Sequence, residues 1–267
     1  MSSILRLNGL EDGCYAEPFC GGAGVALELL FAEQVRRIHL NDVDKSIYAF
    51  WKVATQRSRE LCDLIEVTPV TLDVWRHQKS VQASRETSDE LALAFSTFFL
   101  NRTNRSGILT AGAIGGLKQD GNWKIDARYN KAALIERVDR LGAYRDRIAV
   151  TGLDVIEFLD IVVPQLPTKT LVYLDPPYYR KAERLYLNHF THDNHSALAA
   201  RVQDGLGRPW MVSYDNAPQI SLLYSQRRIE EFALNYSAQA YVAATELMIY
   251  DDNLRVPESV VVRRTAS

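Results

Sequence analysis

Residues 14–24 read Cys14-Tyr15-Ala16-Glu17-Pro18-Phe19-Cys20-Gly21-Gly22-Ala23-Gly24, and the fold class follows from them. Residues 14–19 have the character of a short buried strand, and the glycines after them end it in a tight turn. From 25 to 31 the chain changes to Ala, Leu and Glu, which fill a helix. A strand that stops in glycines and opens a helix lets backbone approach a ligand closely, because no Cβ stands in the way. Residues 37–40 predict a second strand and 47–54 the helix after it. Asp42 falls at the end of that second strand. A carboxylate there can accept both ribose hydroxyls of a nucleoside cofactor. The spacing fits NAD, FAD or S-adenosylmethionine equally, and a glycine turn also serves as a plain chain reversal.

Farther out, strand and helix signals keep alternating. Residues 148–151, 170–174, 210–214, 229–234 and 247–250 read as strands, with helices at 155–161, 192–203 and 218–224 between them. Such alternation predicts a mostly parallel sheet covered on both faces. The middle differs: residues 91–100 and 131–141 are helical, and the glycine-rich segment 107–121 separates them. The expected organisation is an α/β domain from residues 1–55 and 148–267, carrying an inserted subdomain at 56–147. The length of 267 residues accommodates one large domain with such an insertion.

Composition narrows the classes. No run of about 18 apolar residues predicts a membrane span, and the first residues lack the apolar core of a secretory leader, so the protein reads as intracellular. Three cysteines without a CxxC pair predict neither a disulfide framework nor a structural zinc site. The net charge of −2 announces no polyanionic partner, so any basic surface must be local. One stretch qualifies. Residues 101–131 carry six basic side chains against the two acids Asp120 and Asp126. Among them Arg102, Arg105, Lys118, Lys124 and Arg128 are interleaved with glycines, Asn101, Asn104 and Trp123. That mixture suits phosphate contacts joined to base-edge contacts, although a plain solvated face has the same composition.

The most specific signal is Asp175-Pro176-Pro177-Tyr178, directly after the expected strand at 170–174. Two prolines commonly stop a strand, but that does not account for an acid and an aromatic flanking them at the sheet's carboxyl edge. That edge is where open α/β sheets bind ligands. The exocyclic amino nitrogen of adenine is a poor nucleophile because its lone pair is delocalised into the ring. The Asp175 carboxylate can accept one N–H and the Pro176 carbonyl the other, which favours a pyramidal nitrogen with its lone pair directed at a sulfonium methyl group. Proline offers an acceptor without a competing donor and stiffens the loop. Tyr178 can stack on an extruded base and offset part of an unstacking cost on the order of a few kcal/mol.

On these residues the sequence resembles the Dam-type (DPPY) adenine-specific DNA N6-methyltransferases over most of its length. Glu17-Pro18-Phe19-Cys20-Gly21-Gly22 is similar to their cofactor-binding motif, with Ala23 where a third glycine is common. Asn41-Asp42 matches the ribose-binding acid, and Asp175 to Tyr178 the catalytic loop. The resemblance implies a Rossmann-like S-adenosylmethionine-dependent methyltransferase fold, a seven-stranded sheet with one antiparallel strand and an inserted, mainly helical target-recognition subdomain. It implies S-adenosyl-L-methionine as cofactor, held by Glu17, Phe19, Gly21, Gly22, Asp42, Asp154 and Asp175, with Asp154 near the cofactor's adenine. It further implies double-stranded DNA as partner, base flipping, and DNA contacts from Arg102, Asn104, Arg105, Lys118, Lys124 and Arg128. The corresponding setting is the cytoplasm of a bacterial or phage-infected cell, at the nucleoid, and nothing demands more than a monomer.

One departure stands out. Family members usually open with a Pro-Gly-Gly-Lys-like or Trp-x-Gly-Gly-Lys-like segment that helps hold the cofactor, and residues 2–7 resemble the helix that follows it. The expectation is weak cofactor binding, restored by prefixing such a segment. Two alternatives share the motif: amino methylation of cytosine, whose enzymes more often carry Ser in place of Asp175, and a DNA-binding relative that has lost catalysis. No Pro-Cys pair is present to supply the thiolate of cytosine C5 methylation, and Cys20 reads as a small buried residue. No metal is expected: His189, His192 and His195 recur every three residues but straddle a loop-to-helix boundary at Thr191, which suits solvated or capping roles. Tyr186 and Phe190 fit either an adenine pocket or the core.

Overall fold

The computed structural model describes residues 1–179, 190–234 and 244–257. The chain forms two units, one of residues 1–42 and 153–267, the other of residues 43–152. The first opens with helix α1 (Ser2–Leu7), strand β1 (Cys14–Glu17), helix α2 (Gly24–Phe31) and strand β2 (Arg37–Asn41). β1 ends at Glu17, short of the expected Phe19, because Pro18 has no N–H to continue a ladder.

The second unit holds α3 (Lys45–Gln56), α4 (Ser58–Val67), α5 (Leu72–Ala83), α6 (Glu90–Thr103), α7 (Lys131–Ala143) and strand β3 (Ile148–Thr151). It begins earlier than the expected insertion at residue 56. The reason lies in α3, whose Phe50 stacks on Phe98 of α6 at 6.3 Å between ring centroids. α6 starts under an Asp89 cap, whose carboxylate accepts from the N–H groups of Leu91 and Ala92. The glycine-rich segment is a series of turns, tied back to α6 by a bridge between Asn104 and Ala113.

The first unit resumes with a short helix α8 (Val155–Glu157), continued by one π-helical turn, then β4 (Thr170–Leu174) and α9 (His192–Gln203). β5 (Trp210–Asp215), α10 (Pro218–Leu223), β6 (Arg228–Leu234) and β7 (Ala244–Tyr250) follow. α9 starts in a capping box, Thr191 and Asn194 exchanging bonds, where the sequence places its loop boundary.

Among the described residues seven strands make one sheet, ordered β3-β2-β1-β4-β5-β7-β6. β1 pairs in parallel with β2 and β4, and β4 with β5. β7 runs antiparallel to both its neighbours, the one reversed strand that the family resemblance implies. Parallel pairing puts the carboxyl ends of β1, β2, β4 and β5 on a single edge, and Glu17, Asp42, Asp175 and Asp215 with them. β1 is buried along its whole length, as a central strand covered on both faces requires. A core cluster around Phe158, Leu198, Trp210 and Tyr214 packs on this sheet. No helix among the described residues is long and apolar enough to cross a membrane.

Candidate functional site

The glycine turn takes its shape from two left-handed residues, Gly21 at φ 43° and Ala23 at φ 48°. The Gly21 N–H donates to Asp42 Oδ2 at 3.0 Å, and the Cys20 N–H donates to the Asn41 carbonyl at 2.9 Å. The ends of β1 and β2 are thereby tied together. A Cβ built on Gly21, Gly22 or Gly24 would meet no atom within 4 Å, so the turn presents bare backbone to open space. Asn41 adds a second tie. Its amide donates to the carbonyls of Pro18 and Leu153, both at 3.0 Å, and accepts from the Leu153 N–H at 2.9 Å. Asp154 comes next in the chain; it is exposed, and its Oδ1 caps α8 by accepting from the Ile156 N–H.

Beneath the turn Glu17 is only 5% exposed and accepts from the Ala26 N–H in α2 at 3.2 Å. Burial pushes its carboxyl up to about 7; the nearby Tyr15 hydroxyl and the bond from the Ala26 N–H oppose the rise, and the Asp175 charge adds to it. Phe19 is half-buried and meets Phe190 edge-on at 5.8 Å.

The DPPY loop leaves β4 and is held from three sides. Ser213 on β5 donates to Asp175 Oδ1 at 2.6 Å. The Tyr178 hydroxyl donates to Glu246 on β7. The Tyr179 N–H donates to Asp215 Oδ1 at 2.7 Å. Pro176 is buried and Pro177 half-buried. Asp175 itself keeps surface open to solvent, yet enough protein surrounds the carboxyl to raise its pKa by desolvation. The Ser213 bond opposes that rise, and the charge on Glu246 reinforces it.

Ser213, Asp215 and Glu246 escape a reading of the sequence. The one signal there for the first two is the Ser213-Tyr214-Asp215 run at the end of an apolar strand, which has no specificity. Two of the three histidines take structural partners: His192 Nδ1 meets the Tyr179 hydroxyl at 3.0 Å, and His195 Nδ1 the Tyr214 hydroxyl at 2.9 Å. His189 and Tyr186 lie outside the described residues. Cys20 is buried, and desolvation holds its thiol well above the ordinary range, in keeping with a small core residue.

The family model of the D12 class N6 adenine-specific DNA methyltransferases matches residues 4–238. The chain belongs to this family. It is an adenine-specific DNA methyltransferase with a Rossmann-like methyltransferase fold. Solved structures similar to it include a conserved hypothetical protein from Streptococcus pyogenes, 12% identical with TM-score 0.36, covering 96% of this chain and 97% of that one. Another is the rRNA methyltransferase aviRa from Streptomyces viridochromogenes, 12% identical with TM-score 0.35, covering 93% of this chain and 83% of that one. No curated protein matches the chain.

In the second unit of the methyltransferase, Arg105, Lys118, Lys124 and Arg128 are exposed and Arg102 is half-buried. Arg128 reaches back to the carbonyls of Asn101 and Asn104 at 2.7 and 2.8 Å, so it braces the segment while exposed. Arg102 bonds to Asn101 Oδ1, and Lys124 to the Gln119 carbonyl. Asn104, expected among the DNA contacts, lies at the end of α6. It is fully buried: its oxygen accepts from Trp75 Nε1 at 2.6 Å and its amide donates to the carbonyls of Ile108 and Leu109. Trp123, in the same segment, is 73% exposed.

Proposed function

We propose that this enzyme moves the methyl group of S-adenosylmethionine to N6 of an adenine rotated out of double-stranded DNA. The observation that carries the reading is the adjacency of the open glycine turn and the DPPY loop at the ends of two directly paired strands, β1 and β4. The residues present fit the cofactor. Bare backbone at Gly21, Gly22 and Gly24 leaves room for a nucleoside, and the nearby carboxylates Glu17 and Asp175 suit a ligand bearing ammonium and sulfonium charges. When bound, the cofactor supplies an electrophilic methyl group on sulfur.

The chain's own residues account for the rest. Asp42, held by the Gly21 N–H, accepts from the ribose hydroxyls. Phe19 walls the cleft, and Asp154 lies towards the cofactor's adenine. Asp175 accepts one hydrogen of the target amino group and the Pro176 carbonyl the other, which turns the nitrogen lone pair out of conjugation. With a methyl carbon bonded to N6 and its bond to the cofactor's sulfur broken, the electron pair staying on sulfur in the neutral thioether S-adenosylhomocysteine, Asp175 would accept the excess proton from N6 and pass it to solvent. Tyr178 covers the extruded base, its ring anchored through Glu246. Arg102, Arg105, Lys118, Lys124 and Arg128 contact DNA phosphates.

Nucleoside mass spectrometry on DNA from cells lacking their own adenine methylation tests this directly. Expression of the wild-type chain should yield N6-methyladenine, and Asp175→Ala should abolish it. Equal methyladenine from both would remove Asp175 from the reaction.

A further inference from the structure

Ser213 is 3% exposed, on the strand beside the catalytic loop. The β4–β5 register pairs Tyr173 with Met211 and Leu174 with Val212, so Asp175 comes level with Ser213. Side chains alternate faces along a strand, which puts Tyr173, Asp175 and Ser213 on one face of the sheet. The Ser213 oxygen lies 2.6 Å from Asp175 Oδ1, 2.9 Å from the Tyr173 hydroxyl and 3.4 Å from the Leu174 carbonyl.

A hydroxyl has one hydrogen to give. The shortest contact, to a carboxylate, is also the strongest acceptor. Ser213 therefore donates to Asp175, and Tyr173 must donate to Ser213. We propose that Ser213 is a positioning residue for the Asp175 carboxylate, and that Tyr173 sets the direction of the Ser213 hydroxyl. The inference rests on the catalytic role given to Asp175 above.

Two consequences follow from the chemistry. Fixing Oδ1 fixes the carboxylate plane, and with it the lone pairs of Oδ2 that are offered to the amino group. The bond also keeps the carboxylate ionised against its surroundings. Desolvation and the charge of Glu246 on β7 favour protonation of Asp175, and Ser213 opposes both. On β1, Glu17 and Tyr15 also face this carboxyl; Tyr15 stacks on Tyr173 with ring centroids 6.5 Å apart. A protonated Asp175 loses acceptor capacity where the reaction needs it.

The test uses the full chain as wild type, Ser213→Ala, Tyr173→Phe, the double variant and Ser213→Thr. With cofactor and DNA saturating, Ser213→Ala should lower kcat by roughly tenfold or more and move the acid limb of the pH profile upward. The dissociation constant for S-adenosylmethionine should stay within about twofold of wild type. Tyr173→Phe should move the limb the same way by less and add nothing on top of Ser213→Ala, while Ser213→Thr restores the profile. An unmoved limb in Ser213→Ala, or fully additive effects of the two substitutions, overturns the proposal. A second readout does not depend on turnover: carbon-13 NMR titration of the Asp175 carboxyl. Ser213→Ala should raise its midpoint above that of wild type, and an unchanged midpoint rejects the inference even in a chain that methylates nothing. Wild type without methyladenine but with the raised midpoint would instead count against the proposed function alone.

Discussion

Glu17 shows how a single side chain carries both stability and function. Its carboxyl ordinarily titrates near 4.5, and in the fold it titrates at about 7. Between those values the folded state holds a proton that the unfolded chain has released, so stability falls as pH rises through this window, by on the order of 3 kcal/mol. Glu17→Gln should therefore raise the denaturation midpoint at pH 8 and leave it unchanged near pH 4; equal midpoints for variant and wild type at pH 8 would refute the assignment. Ala23 is a different compromise. Its left-handed backbone costs about 1–2 kcal/mol relative to glycine, but its methyl is buried and glycine would lose more backbone entropy on folding, so the family's usual glycine is not required here. In the second unit, Arg105 and Asn104 should separate cleanly. Arg105→Ala should lower the slope of log affinity against log salt by about one, the signature of a phosphate contact. Asn104→Ala should leave that slope alone and cost about 1–3 kcal/mol of stability, since it strands Trp75 Nε1 and two carbonyls. Salt titrations and chemical denaturation of both variants distinguish the two roles.

Between elements, close approach matters more than propensity. α4 and α7 meet at Gly142, where an added Cβ would lie 2.1 Å from Ser58 Oγ and 2.8 Å from Ser58 Cβ. Ser58 opens α4 and cannot retreat without moving the helix. Gly142→Ala should then destabilise by about 1–3 kcal/mol, as overpacking does, and Ser58→Gly should recover part of the loss. Melting curves of the two single variants and the double variant check it, and simple additivity would mean the helices are not in contact there. The sequence announced α6 and α7 through their apolar residues. α4 and α5 went unannounced, because their buried faces are narrow: α4 buries Leu61, Cys62 and Ile65, and α5 fully buries only Gln78.

For the whole molecule, pH dependence is a sum over buried groups of opposite sign. His39 and His195 are both lowered by burial to about 4 from an ordinary 6.5. Each must shed its proton for the chain to fold, so each contributes stability that is lost as pH falls from 6.5 towards 4. Glu17 and Asp175, whose carboxyls burial raises, work the other way over part of the same range. Replacing His39 by Gln should therefore slow the loss of stability as pH falls from 6.5 towards 4, and denaturant midpoints that fall as steeply in His39→Gln as in wild type would contradict the account. What could be read along the chain was whatever rests on contiguous pattern: the strand-turn-helix at residues 14–31, the order of strands and helices, and the DPPY loop with its family. Each is written in neighbouring residues, because backbone propensity, glycine turns and proline acceptors act locally. The hold on Asp175 could not be read that way. Ser213 reaches it from 38 positions along the chain, and Glu246 reaches Tyr178 from 68. Those meetings depend on the register of β4 against β5 and on the reversed course of β7. The burial of Asn104, like them, is a matter of which residues long-range packing brings together, and periodicity along a chain carries no record of it.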